Sequence, residues 1–332
     1  MDALKSMNFH VEGFDSQAEH PFKPYTKPLF KFIQSIIKIL IKKKVDLTKG
    51  SFMEDQLYRE KMLEEKVSSF SPDILFIIRG NGYRKEFIEK LKQIYNIKKI
   101  VGWWVKDPRI GDEMIIDSKI YDKYFCIHNF GYTKQDKIER LPAISTYKKL
   151  YAKAKTRDNN TLKHDAIFIG GYSIRRHEFL SPIINSNINF KMYGPGWIKK
   201  QRILNPVLRK VHDGKGIWGK ELVSLYHKSR IVVNVTSWDS SKMSGQNLRL
   251  FDVPCTGAFL ITDYSDEVAE YFALGKEIET FKTPDELLDK IKFYLLHHDK
   301  REAIAAAGYS KAISLPTIAD RMKSMLKIIG AR

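Results

Sequence analysis

Cysteine is nearly absent. Cys126 and Cys255 are the whole complement, far apart and each set among apolar residues. Two such residues build neither a metal cluster nor a disulfide framework, and they fit buried thiols in a reducing compartment. No run of 18 uncharged apolar residues occurs, so no transmembrane helix is expected. The N-terminus has no basic region ahead of an apolar core, so no signal peptide is expected either. The expected location is cytoplasmic, with peripheral attachment to the inner membrane face as a further expectation. His and Cys nowhere adopt zinc spacing. The phosphate loop Gly-x-x-x-x-Gly-Lys-Ser/Thr is missing, which argues against an ATPase, and the missing Gly-x-Gly-x-x-Gly lowers a dehydrogenase reading.

Acid is scarce as well. Asp and Glu number 39 against 57 Lys and Arg, a net charge of +18. That excess attracts anionic surfaces: a phosphate-bearing acceptor, a membrane leaflet or nucleic acid. The basic residues are spread along the whole chain rather than gathered in a tail. A plain lysine-rich solvated surface is the competing explanation.

What is present reads as two α/β domains. The length of 332 residues is long for one core. Apolar runs alternate with helical patterns, which predicts parallel βαβ units. Strands are predicted at Asn8–Phe14, Ile74–Ile78, Lys99–Trp104, Lys123–Ile127, Ala166–Ile169, Asn189–Tyr193, Ile231–Asn234 and Ala258–Thr262. Runs such as Ile74-Leu-Phe-Ile-Ile78 are apolar throughout and suit a sheet covered on both faces. The polar stretch Ala154 to His164 is the best linker. The expected division is therefore an N-terminal domain over 1–155, a C-terminal domain over 164–315, and a last helix over 316–332 packing back toward the first domain. A doubly wound domain normally opens with a strand and a Gly-rich turn. Here a helix over Asp2–Met7 leads directly to the second strand, so the first strand is expected to be missing.

A further helix is predicted over Phe30–Lys44, with Leu29, Phe32, Ile33, Ile36, Ile37 and Leu40 on one stripe. Lys31, Gln34, Ser35, Lys38 and Lys42 form the opposite face, and Lys42-Lys-Lys44 ends it. Packing on the N-terminal sheet is one reading, and a helix lying on a membrane surface is the other.

The most informative segment runs from Ser244-Gly-Gln-Asn-Leu-Arg-Leu-Phe-Asp252 to Asp263. It predicts a helix that starts after a Gly-containing turn, stops at Gly257 and feeds a buried strand. Arg249 and Asp252, three apart, share one helix face. Asn247 falls at the helix start, where unpaired backbone N–H groups welcome an anion. A cation, amides and a carboxylate in one cleft suit a diphosphate joined to a ribose. An ordinary amphipathic helix with a surface Arg and a surface Asp is the plainer reading.

This segment resembles the donor-binding helix of GT-B glycosyltransferases, and more narrowly of the CgeB-like branch named for spore maturation proteins. The similarity runs on through Leu260-Ile-Thr-Asp263, Tyr271-Phe-Ala-Leu-Gly-Lys-Glu-Ile278 and Asp285-Glu-Leu-Leu-Asp-Lys-Ile291 to Ala307-Gly308. It implies two Rossmann-like domains whose parallel sheets face an interdomain cleft. It also implies a sugar donated by a nucleotide-sugar, a UDP-sugar favoured, to an acceptor hydroxyl. Many GT-B enzymes carry two glutamates eight apart, one for the ribose and one near the donor sugar. Those places hold Asp252 and Ser244 here.

Gly170-Gly171 after the next predicted strand allows close approach of a ligand to the backbone, and Arg175 and Arg176 follow at a helix start. The resemblance places an arginine there facing the diphosphate. Tyr193-Gly194, in Met192-Tyr-Gly-Pro-Gly-Trp197, is a second strand-to-turn signal. In Gly216-Ile-Trp-Gly219 the resemblance implies that Trp218 or Ile217 stacks on the nucleobase. Ser244 and Gly245 complete the donor set. Lys199, Lys200, Arg202, Arg209, Lys210 and Lys215 form the densest basic stretch, which suits an acceptor cleft, lipid phosphates or plain solvent.

In the N-terminal half, Ile100-Val-Gly-Trp-Trp-Val-Lys-Asp-Pro108 resembles a family strand ending in Trp and then Asp-Asp-Pro, with Lys106 in place of the first Asp. Asp107 is the candidate base for the acceptor hydroxyl, unless it caps the following turn. Arg79 and Asn81 are the candidate acceptor contacts, and His128 is another candidate base or a structural histidine. No Asp-x-Asp occurs, the pair with which the other large glycosyltransferase fold holds its metal. The expectation is metal-independent transfer with no cofactor, the leaving diphosphate being stabilised by arginines and helix dipoles. Acceptors in the cell envelope, on lipid or on protein are expected. The alternatives are modification of DNA bases and a sugar-nucleotide or membrane-associated binding protein without catalysis.

Overall fold

The computed structural model describes residues 1–15, 20–41, 54–78, 83–105, 111–129, 132–133, 138–142, 162–197, 206–214, 216–239 and 247–331. The chain divides into two compact units. One is Met1–Trp104 with Asp112–Phe125 and Thr133–Glu139; the other is Val105–Gly111, Cys126–Tyr132 and Arg140–Arg332.

The first unit carries helices Asp2–Lys5, Lys23–Ile41, Asp55–Phe70, Lys85–Ile94 and Gly111–Ser118. Its strands are β1 (Ile74–Ile78), β2 (Lys99–Trp104), β3 (Lys123–Cys126) and β4 (Ile138–Arg140), in sheet order β1-β2-β3-β4. The β1 and β2 strands are parallel, with Ile74 opposite Lys99 and Ile78 opposite Trp103. The strand expected at Asn8–Phe14 is not one. Asn8 adopts φ 66°, which breaks the extended run, and the His10 ring packs at 4.8 Å on Phe70. The alternation of Phe9 and Val11 with polar neighbours imitated a strand. The helix expected from Phe30 begins earlier, at Lys23.

The second unit is built on a five-stranded, all-parallel sheet. Its strands are β5 (His164–Ile169), β6 (Phe190–Tyr193), β7 (Ser229–Asn234), β8 (Phe259–Asp263) and β9 (Glu279–Phe281), in order β6-β5-β7-β8-β9. Helices flank these strands, and both faces of the sheet are covered. Ala166, Phe168, Ile231, Val233, Phe259 and Ile261 lie in a single buried cluster with side chains of the surrounding helices. The helices start where hydroxyl caps dictate. Ser173 accepts from the Arg176 amide at 3.2 Å, Thr283 from Glu286 at 3.1 Å ahead of Pro284, and Thr317 with Asp320 forms a reciprocal capping box. The last helix is Ile318–Ile328.

The chain order reverses direction across β5: β6 lies on one side and β7 on the other. Ligands in open parallel sheets bind beyond the carboxyl ends of strands at such a reversal. In this unit those ends are Gly170-Gly171 after β5, Asn234 to Thr236 after β7, and Thr262-Asp263 after β8.

Both cysteines are buried thiols, and burial pushes Cys126 up to about 12. No helix among the described residues is long and apolar enough to cross a membrane.

Candidate active site

The carboxyl ends of β7 and β8 are joined by buried polar side chains. Asp263 accepts from the Thr236 amide at 3.0 Å, from the Thr236 hydroxyl, and from Thr262 Oγ1 at 3.3 Å. Asn234 donates to Thr262 Oγ1 at 2.9 Å. All four residues are buried. A polar cluster of this kind is costly unless its members satisfy one another, and these do.

Arg175 and Arg176 arrive from the helix Ile174–Ile184 and are spent inside the protein. Arg175 Nη1 lies 2.9 Å from Asp263 and donates to the Thr236 carbonyl at 3.2 Å, its guanidinium 4.3 Å over the Phe179 ring. Arg176 donates from Nε to the Val235 carbonyl at 2.8 Å and from Nη1 to the Gly171 carbonyl at 2.9 Å. Arg176 thus ties the turn after β5 to the turn after β7, on the two sides of the reversal. Both arginines brace the site walls.

Arg249 is different. The helix Arg249–Cys255 follows Asn247, as its residues predict. Its first-turn amides are already bonded, however. Arg249 N–H donates to Asn247 Oδ1 at 3.0 Å, Leu250 N–H to the Asn247 carbonyl at 3.1 Å, and Asp252 N–H to the Leu248 carbonyl at 2.8 Å. The expected unpaired amides are therefore not the anion-binding element. The side chain is. Arg249 Nη1 donates to Asn234 Oδ1 at 3.3 Å, and the same oxygen accepts from Asn247 Nδ2 at 3.1 Å. Among the described residues the guanidinium forms no ion pair. Burial lowers its pKa, with Tyr226, Asp252 and Asp263 partly compensating. A desolvated cation that forms no ion pair among the described residues can accept an anion.

Asp252 is buried at 6% exposure, so the plainer reading of a surface Asp does not hold. Arg249 and Asp252 do share one environment: both act on the fully buried Tyr226, whose hydroxyl pKa is raised chiefly by burial.

Residues 175–327 match the family described as glycosyl transferase-like. Spore protein CgeB of Bacillus subtilis is 24% identical over 285 residues, 80% of this chain and 84% of its own. Among solved structures, Anabaena HepE in complex with UDP-glucose superposes with a TM-score of 0.64 at 9% identity, covering 97% of this chain and 98% of that one. Sucrose-phosphate synthase from Thermosynechococcus elongatus gives 0.61 at 10% identity, covering 86% and 80%. The chain has the GT-B fold of these proteins.

Of the other expected donor residues, Gly170, Gly171, Tyr193 and Gly194 fall around the turns after β5 and β6. Gly170 N–H donates to the Tyr193 carbonyl at 2.8 Å, and the Gly170 carbonyl accepts from the buried Trp197 indole at 2.8 Å. Gly194 has φ 132°, and a Cβ there would sit inside the Gly170 carbonyl. Gly194→Ala therefore strains the backbone and drives the two turns apart. A loss of roughly 2–4 kcal/mol is expected, seen as a Tm lowered by about 5–10 °C. Trp218 is 77% exposed, its ring lying across Gly216, while its neighbour Ile217 is buried. Of the two residues expected to meet a nucleobase, Trp218 presents a free face.

Arg79, Asn81, Lys106, Asp107, Ser244, Gly245, the linker residues 154–161 and the Lys42–Lys44 run lie outside the described residues, as do Lys199, Lys200, Arg202 and Lys215. His128 is buried, its ring edge-on to Trp238 at 5.9 Å.

Asn234, Thr236 and Asp263 escaped notice in the chain. The signal was there: each stands at the carboxyl end of an apolar strand, where a polar side chain faces the ligand side of the sheet. Glu267 escaped as well. It is fully buried just after β8, and its Oε1 accepts from the Asn129 amide at 2.8 Å and from Arg140 at 3.0 Å. Arg140 also pairs with Glu270 at 2.7 Å. Burial pushes the Glu267 carboxyl up to about 7 from an ordinary 4.5, against the Asn129 and Arg140 bonds. The folded protein thus holds this proton more tightly than the unfolded chain does. Its contribution is largest below about pH 4.5 and is lost as pH rises to about 7, by roughly 1–3 kcal/mol. Glu267→Gln removes that dependence. Subtracting the variant's Tm from the parent's at each pH is expected to give a difference that falls between pH 5 and pH 8.

Proposed function

We propose that this protein is a glycosyltransferase that takes its sugar from a nucleotide-sugar, a UDP-sugar by preference, and moves it to an acceptor hydroxyl without a metal ion. One observation carries the reading: Arg249, a desolvated guanidinium with no ion pair among the described residues, stands at the carboxyl end of β7 beside the strand reversal. A diphosphate supplies the missing counterion. In the reaction the acceptor oxygen bonds to the anomeric carbon, and the bond from that carbon to the diphosphate breaks. The diphosphate leaves with the electron pair, and the acceptor proton passes to a base. Arg249 meets the charge that grows on the leaving group. Asp252 takes the ribose hydroxyls, Trp218 stacks on the base, and Asn247 holds Arg249 in line through Asn234. Ser244 and Gly245 complete the donor contacts, and Arg175, Arg176, Gly170, Gly171, Tyr193 and Gly194 shape the wall. Asp107 is the proposed base, with Arg79 and Asn81 at the acceptor. The UDP-glucose held by HepE, a protein of the same fold, supports the donor class.

The test is a thermal shift against UDP-, GDP-, dTDP- and CMP-sugars in EDTA. A ligand at 100 times its Kd adds about 2.7 kcal/mol, a shift of a few degrees. A UDP-sugar is expected to give it, and Arg249→Ala to lose it. No shift with any donor would sink the proposal.

A further inference from the structure

The helix Lys23–Ile41 leaves a line of large apolar side chains in solvent. Tyr25, Leu29, Phe32, Ile36 and Ile39 are 81, 57, 64, 41 and 77% exposed, and Leu40 beside them is 74% exposed. Their spacing of four and three residues puts them on one face, along about 20 Å of helix. Phe30, Ile33 and Ile37, on the neighbouring face, are half-buried. So the helix is seated by one apolar strip and presents a second. Scattered exposed apolar residues need no explanation, but a contiguous stripe of this length marks an interaction surface.

The charge of the same stretch selects the partner. From Pro21 to Val45 there are seven lysines (23, 27, 31, 38, 42, 43 and 44) and no acidic residue. A second copy of this chain would bring seven like charges against seven, on a protein already at +18. An anionic surface is complemented instead. Lysine on the polar side with Phe, Leu and Ile on the other is the make-up of a helix that lies in the plane of a lipid interface. We infer that Lys23–Ile41 seats this enzyme on an anionic lipid bilayer, the stripe from Tyr25 to Leu40 entering the acyl boundary. The acceptor reaction then takes place next to a membrane.

The test uses the whole protein and sedimentation with vesicles of phosphatidylcholine alone or with 30% phosphatidylglycerol. Binding to the anionic vesicles is expected to be at least tenfold tighter and to weaken with added salt. The double variant Phe32→Ser/Ile39→Ser, altered only at exposed positions, is expected to lose at least tenfold in binding while keeping its Tm. Tyr25→Ser/Leu29→Ser is expected to do the same independently. The inference is overturned if anionic vesicles do not bind the protein, if neutral vesicles bind it equally, or if both double variants bind undiminished. It is also overturned if light scattering shows a dimer that these variants dissociate, which would make the stripe a contact between copies. None of these readouts depends on the donor, so failure here leaves the assignment of Arg249 standing.

Discussion

Arg249→Ala is expected to lower kcat/KM for sugar transfer by 10²–10³-fold while leaving the ligand-free protein as stable as the parent, or more so. The two halves have one cause. The guanidinium is desolvated, makes one long hydrogen bond to Asn234, and forms no ion pair among the described residues. Keeping a cation so placed costs the empty fold free energy, and removal relieves that cost. With a diphosphate bound, the same desolvation strengthens the attraction, and losing a preorganised donor costs about 3–4 kcal/mol in the transition state. Steady-state kinetics and a melt without ligand, made on one preparation, test both halves. An equal fall in stability and activity would make Arg249 a structural residue.

Asp263→Ala is expected to be the opposite case, a fold lesion of about 3–5 kcal/mol. Its carboxylate gathers the Thr236 amide and hydroxyl, Thr262 and the Arg175 guanidinium. Truncation strands a half-buried arginine and a buried N–H group together, which is worse than losing one hydrogen bond. Asp263→Asn keeps an acceptor for the Thr236 amide and is expected to cost about 1–3 kcal/mol. Chemical denaturation midpoints for the two variants check the order. If alanine and asparagine cost the same, the charge on Arg175 has no need of Asp263.

Strands β5 to β8 of the second unit were readable because each is a short apolar run bounded by turns, whereas β9, only Glu279-Thr-Phe281, carries no such run and went unread. Ile74–Ile78 and Lys99–Trp104 in the first unit were readable for the same reason. The site was legible in its types rather than its pairings. Arg175, Arg176 and Arg249 look alike in the chain, and each was assigned to the same anion. What separates them is the company that folding supplies: Asp263 for the first, two turn carbonyls for the second, and a single amide oxygen for the third. Asp263 lies 88 residues from Arg175, Val235 59 from Arg176 and Asn234 15 from Arg249, beyond any helical or turn spacing. Asn247 misled in the other direction. A polar residue at a helix start signals free amides, yet its own side chain and carbonyl occupy them.

The strand order of the second sheet also governs how the chain can reach this structure. Ala166 in β5 meets Phe190 on one side and Ile231 on the other. The β5–β6 pair closes over the helical connection 170–189 and can form early, whereas the β5–β7 pair waits for the much longer stretch 170–228. As the polypeptide leaves the ribosome, β5 and β6 stand complete with an apolar edge open until Ile231 has emerged. That edge is a ready template for other nascent chains. The rate at which residues 194–231 are made therefore sets how long that edge stays open, and slower translation across them is expected to lower the yield.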